Sequence, residues 1–148
     1  MWIRGVEANA AKAFEIKFHH GGISVPDLEA SIEWWANMLN FVEEQRIYID
    51  AIPAKVAIIR RGDLRIELFE AEKATPLPGD RRYPNKDVLT HGNKHIAFAV
   101  RDARAAAEEL RSKGADVVFI MDFPWGSNAF IRDNAGNLIE LVTQPDMY

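Results

Sequence analysis

The feature that most constrains this chain is a repeat. The stretch Lys94-His95-Ile96-Ala97-Phe98-Ala99-Val100-Arg101-Asp102 matches His19-His20-Gly21-Gly22-Ile23-Ser24-Val25-Pro26-Asp27 in its alternation. With His95 set over His20, an offset of 75 positions (95 − 20), Phe98 and Val100 fall on Ile23 and Val25, and Asp102 falls on Asp27. A helix-like run follows the aspartate in both copies. One such histidine–aspartate spacing carries little weight, but two in one chain argue for a duplicated module.

The flanking sequence reads the same way in each copy. Residues 18–25 alternate as a strand, with His20, Gly22 and Ser24 on one face and Ile23 and Val25 on the other. Asp27 is placed to cap a helix in which Leu28, Ile32, Trp35 and Leu39 recur at helical spacing, with Asn40 near its end. Trp34 and Trp35 read most simply as core and helix-packing aromatics. Strands then follow over Val42–Ile49, Lys55–Arg60 and Leu64–Phe69, broken by Pro53 and Gly62-Asp63. In the second copy, strand 94–100 leads to a helix capped by Asp102 and closed by Gly114. Val117–Ile120, Asn128–Arg132 and Leu138–Val142 read as its strands, with a turn at Asp133–Asn137 before the last.

The expected fold is therefore α+β: two tandem βαβββ modules, residues 18–70 and 94–148, forming one cupped, barrel-like mixed sheet around a metal site. Residues 1–17, with Trp2, Ile3, Val6 and Phe14 among charges, read as an N-terminal arm or helix that packs on the core or on a second subunit. Residues 71–93 carry Pro76, Pro78, Gly79 and Pro84 without periodicity. They are either a linker between modules or a loop covering a site with Arg81, Arg82 and Tyr83 pointing in.

Composition excludes several classes. A chain of 148 residues is one domain of ordinary size or two small halves sharing a core, and its net charge of −4 with no dense Lys/Arg block argues against a nucleic-acid partner. Cysteine is absent, which removes disulfides, thiol nucleophiles and zinc–thiolate sites, so any metal must be held by His, Asp and Glu. No apolar run reaches the length of a membrane span, and the N-terminus has no signal-peptide core, so the expectation is a cytoplasmic protein without a membrane partner.

The chemistry is concentrated at four positions. His20 and His95 sit on strand faces otherwise made of small residues. Glu67 and Glu140, 73 positions apart (140 − 67), each interrupt an aliphatic run, Ile66-Glu67-Leu68 and Ile139-Glu140-Leu141. A carboxylate between large aliphatics is costly to bury unless paired or metal-bound. Two imidazoles and two carboxylates at equivalent positions would converge if the modules pair about a pseudo-twofold axis, and such a set suits a divalent first-row ion. Phe123, Trp125, Phe130 and Arg132 are candidates for a substrate pocket, the aromatics for an apolar body and Arg132 for an anion.

These motifs, from His20 through Asp27-Leu28-Glu29, Gly62 through Leu68, His95 through Asp102 and Asp133 through Leu141, resemble the vicinal oxygen chelate superfamily over about residues 18–144. That superfamily includes glyoxalase I, methylmalonyl-CoA epimerase, extradiol dioxygenases and the bleomycin- and fosfomycin-resistance proteins. The resemblance implies a glyoxalase-I-like ligand set, His20, Glu67, His95 and Glu140, holding one divalent ion per chain (Ni, Co, Zn, Mn or Fe). It implies a metal-dependent lyase or isomerase that abstracts a proton beside a chelated carbonyl of a small molecule with vicinal oxygens, with Glu140 or Glu67 as the base. We expect a homodimer. Two alternatives stay open, an Fe(II) extradiol-type dioxygenase and a non-catalytic binding or resistance protein. Glu67 departs from the epimerase pattern, which commonly has Gln there, and Lys55 stands near where the epimerases carry their acidic base.

Overall fold

The computed structural model describes residues 14–148. The expected N-terminal arm therefore lies mostly outside the described residues; Phe14 to Lys17, its last four, have no regular secondary structure. The first module runs β1 (Gly21–Ser24), α1 (Leu28–Leu39), β2 (Val42–Ile49), β3 (Ala54–Arg61) and β4 (Leu64–Ala71). A 3₁₀ turn (Gly79–Arg82) and a one-turn helix, α2 (Pro84–Asp87), lie between the modules. The second module repeats the pattern with β5 (Ile96–Val100), α3 (Ala103–Ser112), β6 (Asp116–Phe123), β7 (Gly126–Arg132) and β8 (Leu138–Thr143). Each module forms its own cupped four-stranded mixed sheet, in the orders β1-β4-β3-β2 and β5-β8-β7-β6, and neither closes into a barrel.

The duplication extends to backbone angles. Asp27 (φ −144°, ψ 108°) and Asp102 (φ −147°, ψ 107°) are extended N-caps whose carboxylates accept from the N–H of Ala30 and Ala105. Asn40 closes α1 in the left-handed region at φ 55°, where its short polar side chain is tolerated. Gly62 takes φ 59° at the first central position of the β3–β4 hairpin, a conformation glycine adopts without a Cβ penalty.

Strand boundaries differ from expectation for a topological reason. β1 is bonded only to β4, in parallel, and β4 starts at Leu64 just after its hairpin. Pairing begins with Gly21 opposite Ile66, and Leu64 and Arg65 have no partner on β1, so the strand expected from residue 18 begins three residues later. β5 is shortened in the same way against β8. β6 is longer than expected because Met121, Asp122 and Phe123 continue its pairing with β7.

One apolar core serves both modules. Leu28, Trp35, Ile59, Ile66 and Leu68 from the first join Ala107, Leu110, Ile131, Ile139 and Leu141 from the second, all under the two helices. Trp35 is fully buried, its ring edge-on to Phe41 at 5.1 Å and to Phe98 of the other module at 6.3 Å. Trp34 packs at the margin of the same core. Ser31, buried in α1, donates to Asn134 Oδ1 in the β7–β8 turn at 3.2 Å. Where β1 meets β5 the fit is close: a Cβ on Gly21 would come within 3.3 Å of Ile96 Cδ1.

The inter-module segment is docked rather than free. Asp87, 2% exposed, receives Arg81 Nε at 2.9 Å and Lys94 Nζ at 3.1 Å. Arg132 Nε donates to the Arg82 carbonyl at 2.8 Å, and its guanidinium lies 4.8 Å from the Tyr83 ring centroid. Burial alone would push the Asp87 carboxyl up, but the Lys94 and Arg81 hydrogen bonds outweigh it and hold the group below its ordinary value. No helix among the described residues is long and apolar enough to cross a membrane.

Two outcomes follow. Trp35→Ala should cost about 3–5 kcal/mol in urea unfolding, the range for removing a large core aromatic. Asp87→Asn should cost roughly 2 kcal/mol at neutral pH. Because the folded pKa is depressed, that contribution is present above the unfolded value near ~3.9 and fades as pH falls through the folded value. The gap between wild type and Asp87→Asn should thus close in acid, and a gap constant down to the lowest pH would contradict the ion-pair account.

Candidate metal centre

Both sheets bury one face under a helix and leave the other open, and the four predicted ligands are on the open faces. His20 immediately precedes β1 and His95 immediately precedes β5, each two residues before the small residue (Gly22 or Ala97) that pairs with Glu67 or Glu140. Parallel pairing with an even spacing puts imidazole and carboxylate on one side of the sheet. His20 Nε2 lies 3.1 Å from Glu67 Oε2, and His95 Nε2 lies 3.1 Å from Glu140 Oε2. Small neighbours make the room: a Cβ on Gly22 would approach the Phe69 ring to 3.3 Å.

The chain brings the four residues together as two pairs, not as a quartet. Among the described residues no group of three or more His, Asp or Glu side chains is arranged to hold an ion. Each pair nevertheless fits half a coordination sphere. Two ligands each about 2.1 Å from a common ion at right angles are about 3 Å apart, which is the observed spacing. It is also an ordinary hydrogen-bond length, so each pair is self-satisfied without an ion.

The second pair is more elaborately held than the first. Asn128 Nδ2 donates to Glu140 Oε1 at 2.7 Å, and the His95 ring packs edge-on against Phe130 with centroids 4.9 Å apart. Asn128 Oδ1 is buried with no partner among the described residues. Sequence reasoning passed over Asn128, since a strand amide has no spacing signature. The one available sign was its parity with Phe130, which stands opposite Glu140.

The four pocket candidates fall on or beside this same open face. Phe130 is at its centre, and Phe123 and Trp125 stack at its rim (centroids 4.9 Å, planes 3° apart), both partly exposed. Arg132 is at one end with its charge engaged: Nη1 donates to Asp116 Oδ2 at 2.9 Å, in addition to its contacts with Arg82 and Tyr83. The docked segment therefore reaches the end of the second module's face through Tyr83 and Arg82. Arg81 turns instead to Asp87.

Comparison with known proteins bears on the family and the fold. The Glyoxalase/Bleomycin resistance protein/Dioxygenase superfamily model matches residues 17–141. Comparison with curated protein sequences gives no match. Among solved structures, the chain is similar to a glyoxalase family protein of Enterococcus faecalis (20% identity, 84% of this chain and 95% of that one, TM-score 0.70). It is similar to the trypanothione-dependent glyoxalase I of Leishmania major (21% identity, 90% of each chain, TM-score 0.68). A third is a mutant of the genomically encoded fosfomycin resistance protein of Listeria monocytogenes, solved with Mn(II) and dihydroxypropylphosphonic acid (16% identity, 88% of this chain and 94% of that one, TM-score 0.64). At these identities the structural likeness speaks for the fold, and the family model covers most of the chain. This chain belongs to the glyoxalase/bleomycin resistance/dioxygenase superfamily, the vicinal oxygen chelate proteins that its repeat resembles.

Proposed function

We propose that the chain is a metal-dependent lyase or isomerase whose metal site is completed between two copies, His20 and Glu67 of one meeting His95 and Glu140 of the other. The observation that carries this is the matched pair of half-sites. Each has the same residue types, the same strand positions and the same 3.1 Å spacing, and among the described residues neither belongs to a group of three or more His, Asp or Glu side chains arranged to hold an ion. A twofold dimer that sets the open face of one module against the unlike module of its mate forms two such sites, one ion per chain.

When bound, the ion supplies Lewis acidity that stabilises an enolate or enediolate on a substrate with adjacent oxygens. The chain's own residues do the rest. The imidazoles and carboxylates fix the ion, and one carboxylate takes the proton from the neighbouring carbon. Gly22 and Ala97 leave space for the small molecule, and Phe130, Phe123 and Trp125 form an apolar wall that keeps water from the reacting carbon. Arg132 anchors the docked segment at the end of that wall. Support for an enzyme of this kind also comes from the similar structures. One is a glyoxalase I, and another was solved with Mn(II) and a molecule bearing neighbouring oxygens.

Protein purified without chelator should contain about one divalent first-row ion per chain and run as a dimer. His20→Ala and His95→Ala should each lose most of the metal, yet co-refolded together in equal amounts they should recover about a quarter of a metal per chain, because about half the dimers are mixed and each mixed dimer has one intact site. No recovery, with wild type loaded, would refute the shared site. Oxygen consumption with catechols, in place of solvent deuterium entering a carbonyl substrate, would replace the lyase or isomerase by a ring-cleaving dioxygenase. Absence of metal after reloading would leave a binding protein.

A further inference from the structure

The two half-sites share residue types and spacing but differ in what surrounds them: His20 lies against His19 and His95 against Phe130, and the carboxylates are held differently. Glu140 is fixed at both oxygens: Oε2 is hydrogen-bonded with His95 and Oε1 accepts from Asn128 Nδ2 at 2.7 Å. Glu67 contacts His20 through Oε2 alone; among the described residues no side chain holds its Oε1. The register explains the difference. Asn128 stands two residues before Phe130, which is opposite Glu140, and the matching residue of the first module is Val56, two before Ile58, which is opposite Glu67. Val56 is fully buried and offers no donor. At equivalent positions, one module has an amide within reach of its glutamate and the other an aliphatic.

A carboxylate with both oxygens in hydrogen bonds has little rotational freedom, and such outer partners orient ligands and raise their hold on a metal. A carboxylate tied at one oxygen can rotate away when another oxygen ligand arrives. We propose that Asn128 is a positioning residue that makes Glu140 a permanent ligand, and that its absence beside Glu67 leaves Glu67 as the exchangeable carboxylate. Glu67 would then be the carboxylate free to give way to an incoming oxygen ligand and to take the proton. In that step the carbon–hydrogen bond breaks, its electron pair stays on the substrate as the enolate, and the proton goes to a Glu67 oxygen. The two glutamates, interchangeable by sequence, thus acquire separate roles from one strand residue. This rests on the metal site proposed above.

The test uses the dimer loaded with Co(II) and followed by its visible spectrum, with acetohydroxamate as a bidentate oxygen probe. Asn128→Val and Glu140→Ala should each weaken cobalt binding ten-fold or more. Glu67→Ala should weaken it less than ten-fold and should bind acetohydroxamate at least as tightly as wild type, since the ligand to be displaced is already gone. Asn128→Val should add nothing in a Glu140→Ala background but keep its full effect beside Glu67→Ala, a coupling that general loss of structure would not produce. Equal cobalt losses for Glu67→Ala and Glu140→Ala, or an Asn128→Val protein that binds cobalt like wild type, would overturn the assignment and leave the shared site standing. A wild-type dimer that binds no cobalt would overturn both.

Discussion

The structure depends on burial of one face of each sheet in a single shared core. Trp35, Leu28 and Leu68 from one half and Leu110, Ile131 and Ile139 from the other form one apolar cluster beneath the helices. Burial of that area is the main favourable term in folding, and it commits the helix side of both sheets inward. The opposite faces, with His20–Glu67 and His95–Glu140, are thereby turned away from the cluster. The same force that fuses the modules into one domain leaves both His–Glu pairs outside the cluster.

The cost of polar groups on these faces is managed locally. Each imidazole lies against its own carboxylate, so neither half-site contains an orphaned charge. The loop between the modules follows the same rule. Its one deeply buried carboxylate, Asp87, collects Arg81 and Lys94, the residue just before His95. The segment is thus tied to the strand start that presents a candidate ligand, although its residues have no periodic pattern.

Much of this could be read in the sequence because duplication doubles weak signals. The caps at Asp27 and Asp102, the stop at Asn40 and the hairpin at Gly62 are local chemistry, and local chemistry is legible in one dimension. The pairing of His20 with Glu67 and of His95 with Glu140 follows from parity along strands once β1 is set beside β4 and β5 beside β8. Three things were not legible. The ends of β1 and β5 depend on how far pairing with a neighbouring strand extends. The engagement of Arg132 depends on a loop docking across the fold. The hold of Asn128 on Glu140 is a diagonal contact between neighbouring strands, invisible until their register is known.

The close approach of Gly21 to Ile96 bears on the history of the repeat. These two residues occupy the same place in their modules, since 96 − 75 is 21. Where like halves meet about a twofold axis, equivalent residues confront each other: two isoleucines would collide, and two glycines would leave a hole. Pairing the smallest side chain with a branched one fills the space once, in one direction only. The seam has become a lock and key cut from a formerly identical pair, so a free copy of either half no longer matches its own kind there as well as it matches its sibling.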